Sequence, residues 1–137
     1  MKIRTLLVPA DFNVEYADFL RKKGFKLEVK KGSFFASREI KDEEEIGHIV
    51  RTLRQTESAI EKAIDYIKKS NVKIGFLVSK RNRHITSEAI RQIINVELMK
   101  AGCTAKHTIV SCGEQSCEPH NAGNGPLRAN EPIIFDV

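Results

Sequence analysis

The sequence predicts a mixed α/β chain, on three observations. A strand, a helix and a second strand follow one another within the first thirty residues. A long capped amphipathic helix fills Glu43 to about Lys69, and a second helix then leads into two short apolar strands separated by a Gly- and Pro-rich loop.

Ile3 to Pro9 is a run of aliphatic and β-branched residues that stops at a proline, the composition of a short strand. From Val14 to Lys23 the apolar residues Val14, Ala17, Phe19 and Leu20 fall broadly on one helical face, and Gly24 closes the helix. Phe25, Leu27 and Val29 then alternate with Lys26, Glu28 and Lys30, the period of a strand with one buried face. This unit is too small to be stable by itself and reads as the tail of a larger α/β domain. Gly32 to Ile40 has neither period and reads as an ordered connector carrying Phe34 and Phe35.

Asp42 followed three residues later by Glu45 is a capping-box arrangement, and Glu43 and Glu44 add negative charge at the positive end of a helix dipole. Ile46, Ile49, Val50, Leu53, Ile60, Ala63, Ile64 and Ile67 recur at spacings of three and four, so one helix of roughly 40 Å is expected, with an apolar stripe that must lie on a sheet or another helix. Val72 to Val78 reads as one edge strand or extended segment, and Ser79 to His84 as a basic turn. Thr86 or Ser87 caps a helix running through Ala89, Ile90, Ile93, Ile94 and Met99, with Gly102 past its end. His107 to Cys112 is a strand, Gly113 to Asn130 a long loop without periodicity, and Pro132 to Phe135 the last strand.

Composition narrows the function classes. The formal charge of +5 and pI near 9.2 are spread among 18 acidic residues, so nucleic acid is not the expected partner and the basic segments read as solvated surface. Three cysteines and no signal peptide indicate a reducing, cytoplasmic setting. No apolar run approaches the roughly 20 residues that span a bilayer, which argues against a membrane partner.

Two residues stand out for chemistry. His120 follows Pro119, whose fixed φ pushes Glu118 toward extended geometry, and Asn121, Gly123, Asn124 and Gly125 can bring backbone amides close to a ligand. The competing reading is a loop histidine in water. Asp136 closes the last strand, either as a cation ligand at the mouth of a sheet or as the first solvated residue beyond it. Cys112, Cys117 and His120, with Cys103, are too loosely spaced for structural zinc, which needs two close ligand pairs, and packed thiols are the simpler reading.

Cys112-Gly-Glu-Gln, Glu118-Pro-His-Asn, Gly125-Pro-Leu-Arg-Ala-Asn-Glu-Pro-Ile-Ile and Asp136 together resemble the pita-bread metallopeptidases, the family of Xaa-Pro aminopeptidases, prolidases, methionine aminopeptidases and creatinase. The nearest likeness is to the Xaa-Pro peptidase branch. Phe34 to Ile46 resembles the passage into that branch's first catalytic helix, and Ile85-Thr-Ser-Glu the start of its second. The resemblance implies that residues 1–32 are the C-terminal part of an N-terminal creatinase-type α/β domain, 33–41 a connector and 42–137 the first half of a pita-bread catalytic domain.

It further implies that His120 is the active-site histidine contacting substrate and that Asp136 is the first of five ligands to two divalent ions, Mn, Co or Zn. The other four ligands lie beyond Asp136 in that family. The chain is therefore expected to be a fragment or truncated form of a peptidase that cleaves peptide bonds next to proline. By itself it should bind no metal pair and be inactive. Its expected partners are the parent's peptide substrate and either a second copy or a complementing C-terminal half. The alternative is a non-catalytic module that uses the His120 loop to hold a peptide or protein.

Overall fold

The computed structural model describes residues 3–137. The chain divides into two compact units, Met1–Ile46 and Gly47–Val137. It combines helix and strand, as the patterning predicts, and among the described residues no helix is long and apolar enough to cross a membrane.

In the first unit, β1 (Thr5–Val8) and β2 (Lys26–Val29) pair in parallel, Val8 opposite Val29, and α1 (Val14–Lys22) connects them. Asn13 caps α1, its side-chain oxygen accepting from the amides of Glu15 at 2.9 Å and Tyr16 at 3.3 Å. Gly24, at φ +86°, ends the helix: its amide donates to Arg21 O at 2.9 Å while Phe25 N donates to Leu20 O at 3.1 Å, the double bond of a Schellman motif. Among the described residues of this unit, only Val8 and Ala17 are buried. The expected alternation along β2 holds for Phe25 and Leu27, which are half-buried, and fails at Val29, which is exposed. In the connector the rings of Phe34 and Phe35 meet edge to face at 4.9 Å.

α2 (Glu43–Lys68) starts at the expected capping box, whose two bonds are both made: Glu45 N to Asp42 Oδ1 at 2.8 Å and Asp42 N to Glu45 Oε2 at 3.0 Å. Its apolar stripe is not covered along its whole length, contrary to expectation. Ala59 and Ala63 are buried, whereas Ile46, Ile49, Val50 and Leu53 each remain close to half exposed.

In the second unit, the segment read as one strand is a hairpin, β3 (Asn71–Lys73) against β4 (Phe76–Val78). Its two-residue turn places Ile74 at φ +50° and Gly75 at φ +77°, the paired left-handed residues of a type I′ turn. Isoleucine at the first position hides that turn from the sequence. α3 (Ser87–Lys100) is capped by Thr86, whose hydroxyl accepts from Ala89 N at 3.2 Å, and ends in a second Schellman motif at Gly102. Its inward stripe is Ile90, Ile94 and Leu98, and Met99, expected inside, is exposed, because one further residue turns the helix by about 100°.

β5 (Ile109–Cys112) and β6 (Ile133–Asp136) form an antiparallel pair with Ile109 opposite Asp136 and Cys112 opposite Ile133. The core gathers Ala59, Ala63, Leu77, Ile85, Ile90, Ile94, Leu98, Val110 and Leu127. Leu127 corrects the reading of residues 113–130 as an aperiodic loop. It is fully buried, donates from its amide to Ile85 O at 2.8 Å and accepts from Leu77 N at 2.9 Å, so the segment threads back through the core as a strand-like link.

Candidate functional site

The loop that carries His120 is fastened from three sides. From β5, Val110 N donates to Ala122 O at 3.1 Å, so the loop runs along the strand edge not taken by β6. From α3, Arg91 donates to the carbonyls of Ala122 and Gly123, the latter at 2.7 Å, while the Glu88 carboxylate accepts from Gly125 N at 3.0 Å. From the 3-10 turn Gly113–Cys117, the Gln115 side chain pairs with the backbone of Asn124, accepting at 2.9 Å and donating at 3.2 Å as a strand neighbour would.

Inside the loop, Asn121 accepts from Gly123 N at 2.9 Å and donates to Glu118 Oε2 at 2.7 Å. Gly123 is at φ +78°, and a Cβ there would stand 1.9 Å from Val110 O. Only glycine lets the loop backbone lie this close to the strand. Partial burial pushes the Glu88 carboxyl up, but hydrogen bonds from its own amide, Gly125 N and the Thr86 hydroxyl, with the nearby Arg91 charge, bring it below the ordinary carboxylate value.

Glu118 is extended at φ −98° and ψ 113°, the geometry the following proline favours. His120 itself is exposed and sits at φ +65°, a left-handed conformation that the fastened loop imposes on it. It borders a recess of about 300 Å³ together with His107, Thr108, Ile109 and Ala122. Asp136 is the last residue of β6 and lies inside the ladder, directly opposite Ile109. Directly opposed residues of an antiparallel pair project to the same face, so the Asp136 carboxylate leaves the sheet on the side of Ile109, which is itself a wall of the His120 recess.

The thiols take no part in this arrangement. Cys103 and Cys112 are half-buried, Cys117 is exposed, and Cys112 Sγ accepts from Arg128 N at 3.4 Å. Among the described residues, no three His, Cys, Asp or Glu side chains converge as a metal site would require. One carboxylate at Asp136 does not supply the three or more ligands that each of a pair of divalent ions needs.

Family models, curated proteins and solved structures give no match to this chain. The residues that hold the site were not singled out in the sequence. Glu88, Arg91 and Asn95 lie at spacings of three and four on α3, and each contacts the segment around β5: Asn95 accepts from the Thr108 hydroxyl at 3.0 Å. A polar stripe beside the apolar one was the available signal, yet it is also what a solvated helix face looks like. For Gln115 there was no signal, because its partners are backbone atoms nine residues away.

Proposed function

We propose that this chain supplies the substrate-contacting histidine, His120, and one metal-binding carboxylate, Asp136, of a pita-bread Xaa-Pro metallopeptidase acting in the cytoplasm. The observation that supports this reading is that Ile109 borders the His120 recess and is also the residue opposite Asp136 across the ladder. A histidine on a fastened loop can hold or pass a proton at a bound peptide without the loop rearranging. Restriction of its backbone by Pro119 and by the bonds to Ala122, Gly123 and Gly125 supports that role. Hydrolysis by a pair of ions needs ligands beyond Asp136, and among the described residues no such set converges.

Manganese titration with nuclear magnetic resonance detection tests the reading. Weak Mn²⁺ association at Asp136 should broaden the amides of Asp136, Ile109 and His120 together, and Asp136→Asn should abolish the effect. Broadening that spares His120 and Ile109, or cleavage of an Xaa-Pro dipeptide by this chain alone, refutes it.

A further inference from the structure

A second recess, of about 330 Å³, lies in the unit Gly47–Val137 where the end of α2 meets the Ser79–Arg83 turn, and it shares no lining residue with the His120 recess. Lys69, Lys80, Arg81 and Arg83 line it, and no acid does. None of these four cations is in an ion pair among the described residues. Lys69 is explained by the negative end of the α2 dipole. Lys80, Arg81 and Arg83 are not, since they come from a different element.

The turn that carries them is closed by its own bonds: Ser79 N to Arg83 O and Asn82 N to Ser79 O, both at 2.8 Å, with Arg83 N to Ser79 Oγ at 3.3 Å. Gathering like charges on a rigid turn is unfavourable until an anion neutralises them. Beyond the charges, Ser70 and Ser79 add hydroxyls, the partly exposed Tyr66 ring forms a wall, and buried Ile85 lies at the base. This combination offers guanidinium forks for a phosphoryl group beside an apolar surface for a ring. The volume is within the range of small-molecule sites.

We propose that this recess binds a small phosphorylated compound bearing an apolar ring, with the phosphoryl group held by Arg81, Arg83 and the two lysines and the ring against Tyr66 and Ile85. The cations converge on one recess, which suits a single phosphoryl group better than the row of phosphates along a nucleic-acid strand.

Adenosine monophosphate serves as the probe, followed by amide chemical shifts of the whole chain, with adenosine, inorganic phosphate and a short single-stranded RNA as parallel arms. The expected result is saturable shifts between residues 66 and 85 with the monophosphate, and weaker binding of adenosine and of phosphate taken singly. Arg81→Ala and Tyr66→Ala should each weaken binding, the arginine variant about tenfold. Both side chains are exposed, so an amide spectrum unchanged away from the recess shows that the variants fold. Absence of saturable shifts, binding left unchanged in both variants, or RNA binding with steep salt dependence while the monophosphate is silent would each overturn the proposal.

Discussion

Gly123→Ala is the sharpest probe of how the His120 loop is held, because Gly125→Ala provides a matched control. Both glycines have φ between +70° and +80°, at +78° and +73°, so each alanine incurs the same left-handed backbone cost of roughly 1–2 kcal/mol. Only the space differs. A Cβ at residue 125 meets nothing within 4 Å, whereas at residue 123 it would stand 1.9 Å from Val110 O, a backbone atom of β5. Relief requires the loop to lift from β5, which breaks the bond from Val110 N to Ala122 O and that from Arg91 to the Gly123 carbonyl. At about 1 kcal/mol for each bond the predicted loss is about 3–4 kcal/mol for Gly123→Ala against about 1–2 kcal/mol for Gly125→Ala. Urea denaturation followed by circular dichroism at the helix band measures both, with equal slopes expected and a much lower midpoint for residue 123. If the two variants lose the same stability, the loop is not pressed against the strand and the fixed placement of His120 fails with it.

The I′ turn of the first hairpin offers the opposite sign. Ile74→Asn should stabilise the protein by about 1 kcal/mol, since isoleucine there is a β-branched residue at φ +50° that is 88% exposed and loses no packing on replacement; a thermal melt that drops instead would contradict the turn assignment. Glu88→Gln should flatten the acid limb of stability. The Glu88 carboxyl titrates below its ordinary value of 4.5 in the folded chain, so its contribution is present above that pH and is lost as pH falls through the lower, folded value. Part of the limb should survive, because Glu97, hydrogen-bonded by Lys100 and Lys62, is shifted in the same direction. An unchanged acid limb in Glu88→Gln would show that the bond to Gly125 N contributes nothing in solution.

Elements whose signals are local were legible in the sequence. The capping box at Asp42 and Glu45, the Thr86 cap and the glycine stops at Gly24 and Gly102 each depend on residues within a few positions of one another, and all four are formed. What escaped notice depends on distant partners. Leu127 looked like one apolar residue in a polar loop, and its burial is decided by Leu77 and Ile85, some forty to fifty positions away in sequence. Ile74 has no intrinsic preference for a left-handed turn, so only the pairing of β3 with β4 reveals it. The site divides in the same way. His120 and Asp136 were conspicuous by residue type and setting, whereas Glu88, Arg91 and Gln115 became visible only once the chain returned past α3.

α3 therefore has two adjoining faces with different tasks. Ile90, Ile94 and Leu98 anchor it in the core, and Glu88, Arg91 and Asn95, rotated by about 100° from that stripe, reach the His120 loop and the start of β5. The placement of the loop is thus referred to the best-packed part of the second unit. A side chain on an otherwise mobile surface segment would have to be ordered each time a ligand arrived, at a cost in conformational entropy for every residue fixed. Here most of that ordering belongs to folding, because the helix that sets the loop geometry is the same one that closes the core. It follows that weakening the core at Ile94 and releasing the loop at Arg91 are not independent changes: both act on the orientation of one helix relative to β5, and their effects on His120 should be non-additive.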